Sequence, residues 1–230
     1  MIGQTNYIIA QGKAARSNRW PSEGLSAAYL FSSGLTFSDS AGSQNLTNSS
    51  TSSVADRKGV ANNAIGMHAG SASRSNFNRG SGSGVSVSVW ARATVHDWNT
   101  QVFGKGIVFH TNDFKVYFEQ TTALFRFEVK QTDNVVKRVT ASQSLSPQNV
   151  WTHFCMATSG KAGDVMTAWI NGQYVGGVML TADAVNTLTN TLYIGAWPTG
   201  YGSNFYGEID DVRIYNRKLL PTEIRKLYNE

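Results

Sequence analysis

The chain has 230 residues and one cysteine, and its 20 basic and 15 acidic residues give a formal net charge of +5. A single cysteine excludes an intramolecular disulfide, and a chain of this length buries enough surface to fold without disulfides or metal. The basic residues are dispersed among serine, asparagine and glycine, whereas nucleic-acid binding favours a dense basic stripe, so this class is excluded.

The first 23 residues are predicted to form an N-terminal arm. They are polar, with a short apolar patch at residues 7–9 and a proline at position 21. Two interpretations remain open: a disordered tail, or an extended segment that becomes ordered on a partner. No signal peptide and no apolar stretch long enough for membrane insertion are predicted.

Positive charge is concentrated in the first part of the chain. Residues 1–92 carry eight basic and three acidic residues, and residues 93–230 carry equal numbers of each sign. This distribution favours docking of the arm on an acidic protein surface.

Residues 24–230 are predicted to form one all-β domain. Residues 25–31 predict a first strand, residues 32–62 are rich in turn-forming residues and predict long loops, and residues 64–69 predict a second strand. The alternation of apolar and polar residues predicts further strands at 85–91, 101–103, 107–110, 114–119, 123–130, 135–140, 150–158, 165–170, 174–179, 192–196 and 205–215. Asn171-Gly172 predicts a hairpin turn, and 221–228 predicts a short C-terminal helix. Many short strands separated by turns indicate a two-sheet antiparallel sandwich.

The C-terminal sequence GEIDDVRIYNRKLLPTEIRKLY, at residues 207–228, resembles the closing motif of concanavalin A-like, laminin-G-like domains. Further matching segments occur in order at 28–31, 37–47, 85–91, 103–106, 150–153, 169–175 and 192–195. The resemblance covers residues 24–230 and implies a jelly-roll sandwich of the lectin-glucanase superfamily.

The resemblance also implies a calcium site between the loop at 37–47 and the last strand. The candidate ligands are Asp39, Asn45, Asp210 and Asp211. Calcium takes six to eight oxygen ligands, which carboxylates and amides supply. The alternative is that Asp39 caps a turn and Asp211 accepts backbone N–H groups. Ala41, Leu46 and His68 depart from the pattern of the family.

Alternation along the last strand predicts that Asp210 and Asp211 point to opposite faces of its sheet. One of the two carboxylates would then lie among inward positions. It would need hydrogen-bond donors or a cation there, because a buried unpaired carboxylate is costly.

The loop at 197–206, which has four aromatic residues in ten, and the turn at 96–99, which contains Trp98, predict a carbohydrate-binding surface. The candidate ligand-binding residues are Trp98, Asn99, Trp197, Tyr201, Asn204 and Tyr206. Aromatic faces stack on sugar rings, and amides bond hydroxyl groups. The alternative is that these aromatics close the end of the sandwich or form a subunit interface in a homo-oligomer.

Catalysis is not predicted. Glu208 and Asp210 begin the carboxylate pattern of some glycosidases, but Val212 and Arg213 follow where another acid is needed. The histidines at 68, 96, 110 and 153 have no nucleophile motif nearby. Cys155 and the histidine at 153 are predicted to pack within their strand, and Glu119 and Glu128 to be solvated.

Two functions are expected for such a chain. The first is a non-catalytic structural or adhesive protein on a bacteriophage virion, as a capsid decoration or fibre, docked through the arm and contacting host glycans. It reconciles a domain resembling modules that act outside cells with a chain that starts at Met1 without an export signal. The second is a free-standing, calcium-assisted, lectin-like module of a bacterial surface or secreted protein.

Overall fold

The computed structural model describes residues 20–32, 34–68, 70–94, 105–119, 122–186, 190–196 and 204–230. Within these ranges the strands are β1 Leu25–Tyr29, β2 Thr47–Ser49, β3 Ser52–Val54, β4 Ala64–Gly66, β5 Ser71–Arg74, β6 Val85–Ala93, β7 Lys105–His110, β8 Phe114–Glu119, β9 Leu124–Lys130, β10 Val136–Ser142, β11 Thr152–Thr158, β12 Val165–Ile170, β13 Gln173–Met179, β14 Leu192–Ile194 and β15 Gly207–Tyr215. One α-helix follows, α1 Pro221–Tyr228.

The strands form two antiparallel sheets, which confirms the predicted sandwich. The first sheet has the order β13-β12-β11-β6-β15-β4-β3, and β1 also pairs with β15. The second sheet has the order β10-β9-β8-β7-β14-β5-β2. No helix in the described ranges is long and apolar enough to cross a bilayer.

The main core lies between the sheets, because each central strand alternates its apolar residues inward. Val87 and Val89 of β6 are buried there with Phe154 of β11. Phe154 also contacts Phe125 of the second sheet, with ring centroids 4.7 Å apart. The strand pattern found in the sequence therefore corresponds to the packed interior.

A second, smaller apolar cluster lies on the outer face of the first sheet, under α1. Ile224 and Leu227 of the helix are fully buried against Cys155 and Trp169. Burial raises the pKa of the Cys155 thiol, so the prediction of a packed, unreactive cysteine agrees with its position. The helix bounds match those predicted from the sequence.

Two predictions about local structure were wrong. The polar residues 32–62 were predicted as loops, yet they contain β2 and β3, which are paired with β5 and β4. Glu128 was predicted to be solvated, but its side chain is buried and accepts hydrogen bonds from Tyr117 Oη at 2.6 Å and Arg138 Nε at 2.5 Å. The predicted strand at 101–103 lies outside the described residues.

Candidate functional site

Four strand ends meet at one end of the sandwich, which we call the rim. It is defined by Thr94, Gly106, Gly195, Asn204 and Tyr206. The Thr94 amide donates to the Tyr206 carbonyl at 3.1 Å, and Gly106 forms a parallel bridge with Asn204. The Phe205 amide donates to the Gly195 carbonyl at 2.8 Å. The described residues beside the predicted turn at 96–99 and at both ends of the predicted aromatic loop at 197–206 therefore lie together.

Two of the six predicted ligand-binding residues are described, and both belong to the rim. Asn204 and Tyr206 are half-buried, where β15 is about to begin. Trp98, Asn99, Trp197 and Tyr201 lie outside the described residues. Their contact with a ligand stays a prediction.

A row of three side chains crosses the first sheet beside the rim, and we call it the charged row. Glu208 of β15 lies opposite Arg92 of β6, and the Arg92 Nε donates to the Glu208 carboxylate at 2.5 Å. The Arg92 guanidinium also lies over the Trp151 ring, 5.4 Å from its centroid. A carboxylate, a guanidinium and an indole are thus presented next to Tyr206.

A groove of about 560 Å³ adjoins the charged row on the outer face of the first sheet. Trp151 and Val150 line one side, and Tyr228 of α1 lines the other. Tyr228 is held by stacking on the buried Trp90, with ring centroids 5.7 Å apart and planes 16° apart. This volume falls within the range of small-ligand sites in proteins.

Sequence reasoning missed Trp151, Arg92 and the groove. Trp151 was assigned only to its strand, and Arg92 was counted only in the charge balance. Their proximity depends on the pairing of β6 with β11 and β15, which brings together residues distant along the chain. The only sequence signal was that both residues lie at the ends of predicted strands.

The predicted calcium ligands fall into two pairs with different partners. Asp39 is buried, and its carboxylate accepts hydrogen bonds from the backbone amides of Ala28, Ala41 and Gln44 at 2.9–3.1 Å. Asn45 accepts from the Asp39 amide at 2.9 Å through its side-chain oxygen. These contacts match the turn-capping alternative, because N–H donors point at the oxygens that a cation would need.

Asp210 and Asp211 form the other pair, and both bind Arg57. One guanidinium nitrogen of Arg57 lies 2.8 Å from Asp210 Oδ2 and 2.5 Å from Asp211 Oδ2. In the described part of the chain, no three His, Cys, Asp or Glu side chains group as metal ligands. The arrangement around these residues does not fit a calcium cage, and calcium binding stays a prediction.

The prediction that the two aspartates face opposite ways was wrong. The pairing of β15 with β6 shifts register between Asp210 and Arg213, and Asp211 has a left-handed φ of 47°. Ile209 and Val212 both enter the core, so two residues lie between them instead of one. A β-bulge therefore turns both carboxylates toward Arg57.

Burial and the neighbouring Asp211 carboxylate raise the pKa of Asp210 to about 8, against the opposing effect of Arg57. Both carboxyl groups contact Arg57, and Asp211 also lies 3.6 Å from the buried Arg213 guanidinium. Holding one proton in the pair lowers the repulsion between the two carboxyl groups. The pair behaves as a buried structural charge cluster beneath the groove.

A serine and a histidine meet inside the fold but are not accessible. The Ser88 hydroxyl lies 2.8 Å from His153 Nε2, and both residues are fully buried. Burial, with the nearby cations Arg213 and Arg57, lowers the pKa of His153 to about 3, so the imidazole is neutral. The packing role predicted for His153 fits this position.

The sequence of residues 61–225 matches the family described as the concanavalin A-like lectin/glucanases superfamily. The chain belongs to this superfamily. The match includes most strands of both sheets and the first part of α1, and it confirms the resemblance seen in the closing motif. No curated protein sequence matches the chain.

Solved structures of this superfamily fold superpose on the chain at low sequence identity. The receptor binding domain of botulinum neurotoxin D has a TM-score of 0.69 and 14% identity, covering 90% of this chain and 53% of that one. The binding domain of Paraclostridial Mosquitocidal Protein 1 has a TM-score of 0.67 and 16% identity, covering 90% and 52%. The chain thus spans about half the length of these toxin domains.

Domain 4 of AbnA, an extracellular arabinanase from Geobacillus stearothermophilus solved with arabinotriose, has a TM-score of 0.65 and 16% identity. The match covers 89% of this chain and 98% of that domain. The chain therefore has the lectin-like fold of its superfamily, and it shares that fold with these toxin binding domains and with this arabinanase domain.

Proposed function

We propose that this domain is a non-catalytic carbohydrate-binding module whose ligand contacts the rim and the adjoining groove. The observation that carries the proposal is that the residues beside the turn at 96–99 and at both ends of the aromatic loop at 197–206 meet at the rim. Aromatic side chains with convergent polar groups are the usual means of binding sugars.

The charged row supports a binding role over a catalytic one. Glycosidases need two carboxyl groups placed for acid and base or nucleophile chemistry. Glu208 is paired with Arg92, and the next acids along β15 are paired with Arg57. Within the described residues, the acids near the groove therefore act as structural partners of arginines.

The test is a glycan-array screen of the full chain, in calcium and in chelator, followed by titration of the best ligand. Trp151→Ala and Tyr206→Ala should each weaken binding about tenfold or more, since an aromatic contact and its buried area are lost. Trp197→Ala tests the predicted part of the surface in the same way.

The matched control is Tyr174→Ala, which removes an aromatic that is 55% exposed, does not line the groove and lies on edge strand β13, separated from β15 by three other strands. Its affinity should equal that of the wild type. The proposal fails if no glycan binds in either condition, or if all three rim and groove variants bind like the control.

We also propose where the domain acts, namely on the surface of a larger particle. The excess of positive charge in residues 1–92 favours display on a particle, such as a virion, through contact with an acidic assembly. Binding to a polyglutamate surface that is unchanged after removal of residues 1–19 would argue against docking through the arm.

A further inference from the structure

A polar groove lies at the end of the sandwich opposite the rim. Strand β6 runs from Val85 at this end to Ala93 at the rim, and β15 runs the other way. The groove has a volume of about 510 Å³, and we call it the amide groove. Its side chains include Ser26, Gln44, Arg74, Asn76, Asn78 and Asn216.

The wall of the amide groove is pre-formed. The Gln44 side-chain amide donates to the Asn78 carbonyl at 2.7 Å, and its oxygen accepts from the Asn78 backbone amide at 2.7 Å. The Asn78 side-chain oxygen accepts from the Gly80 amide at 2.8 Å. These contacts join two loops, so little ordering is required when a ligand binds.

Arg74 supplies a positive charge to the amide groove. Its Nε is buried and has no hydrogen-bond partner among the described residues. The nearby Tyr29 hydroxyl is neutral, because burial and Asp39 raise its pKa. No carboxylate occurs among the described residues that line the groove. A guanidinium that lines a groove without a carboxylate among its described neighbours there can pair with an anionic ligand.

We propose that the amide groove is a second binding site that takes a carboxylate-bearing sugar, a uronic acid unit. The Arg74 guanidinium matches a carboxylate with two parallel hydrogen bonds, and the amides match vicinal hydroxyls. No aromatic lines the described part of the groove, so the sugar would be recognised by hydrogen bonds and charge rather than by stacking on a ring. The site shares no residue with the rim and stands independently of the proposed function.

The test is calorimetric titration of the full chain with trigalacturonate and with its methyl ester, which keeps the hydroxyls but removes the charge. The wild type should bind the acid at least about tenfold more tightly than the ester, since charged hydrogen bonds are the stronger ones. Equal binding of the two, or no binding of the acid, overturns the proposal.

Two variants locate the site. Arg74→Gln should weaken trigalacturonate binding about tenfold, and Asn76→Asp should weaken it similarly by adding a negative charge to the lining. Asn76 has a φ of 53°, which aspartate tolerates, so this variant carries the test if Arg74→Gln misfolds. Unchanged affinity in Asn76→Asp contradicts the assignment.

Two controls distinguish binding in the amide groove from general charge attraction and from binding at the rim. Lys226→Gln removes one exposed positive charge outside the groove and should leave the affinity unchanged. Equal loss in this control would indicate non-specific attraction and overturn the site. Tyr206→Ala should keep trigalacturonate binding even where it loses neutral glycans, so the two proposals fail separately.

Discussion

Arg57 joins a loop to the last strand by binding two carboxylates, and its side chain is only 8% exposed. It also lies over the Trp90 ring, 4.8 Å from the centroid. Asp210 and Asp211 are therefore bridged by a residue about 150 positions earlier in the sequence. A single residue, Arg57, thus both lines the groove and connects its loop to β15.

Replacing Arg57 with methionine should lower the free energy of unfolding by about 3 kcal/mol, because the buried carboxyl pair loses the guanidinium that both groups contact and, among the described residues, only Arg213, 3.6 Å from Asp211, remains as a cation. Denaturant unfolding at neutral pH measures the change. Lys161→Met is the matched control, since its pair with Asp183 is largely exposed, and it should leave the unfolding midpoint unchanged. Equal effects of the two would refute a special role for Arg57.

Asp210 makes stability depend on pH. Its folded-state pKa of about 8 exceeds the unfolded value near 4, so the folded protein binds more protons between these values. The free energy of unfolding should then fall as pH rises from 6.5 to 8. His110 and His153, whose pKa values are lowered to about 4 and 3, give the opposite slope up to their unfolded pKa near 6.5, so they offset part of the fall at the acidic end of this window.

Asp210→Asn removes this titration while keeping the shape of the side chain. As pH rises from 6.5 to 8, the free energy of unfolding of the variant should therefore increase relative to that of the wild type, by up to about 1 kcal/mol per pH unit. Unfolding by urea at pH 6.5, 7.2 and 8 measures the difference. Parallel curves for the two proteins would mean that Asp210 is ionised throughout.

At the scale of elements, the bulge in β15 lies where the strand changes neighbours. Ile209 pairs with β4, and Val212 pairs with β1. Opposite the bulge, β6 has one residue, Val89, between Trp90 and Ser88, where β15 has two. The extra residue lets one strand serve two edge partners.

Deleting Asp211 should nevertheless be tolerated, because it leaves the inward positions of β15 unchanged. Without it, Ile209 and Val212 still face the core, and β15 pairs with β6 in regular register. We expect a soluble protein with cooperative thermal unfolding and a loss of about 1–3 kcal/mol, the usual cost of a single change.

Deleting Arg213 is the control, since it lies in regular register opposite Ser88. That deletion moves Ile214 out of the core and Tyr215 into it, so no folded protein is expected. If the two deletions behave alike in a solubility and calorimetry comparison, Asp211 is not a single residue inserted into an otherwise regular strand.

For the whole molecule, alternation and turn residues predict most of the architecture. The strand patterns from residue 85 onward and the closing motif lead to the sandwich, because inward and outward positions follow from the pleat. The short polar strands β2 and β3 could not be predicted from this alternation. These two strands form because they pair with the otherwise unpaired edges of β5 and β4, and this pairing cannot be read from the composition of residues 32–62.

The residues of the candidate sites also include some that the sequence predicted and some that it did not. Tyr206 and Asn204 were predicted from aromatic and amide composition, and they lie at the rim. Arg92, Trp151 and Arg74 escaped prediction because their neighbours come from distant segments through strand register. Asp211 was misassigned because a single inserted residue reverses the alternation on which the prediction rested.

The rim and the amide groove lie at opposite poles of the same strands. Strand β6 has nine residues, and at about 3.3 Å per residue the poles are roughly 30 Å apart. A rigid domain occupied at both poles would join two polysaccharide chains, one neutral and one acidic. In a mixed polysaccharide solution each molecule would then act as a cross-link, raising viscosity by multivalent attachment rather than by the strength of either contact alone.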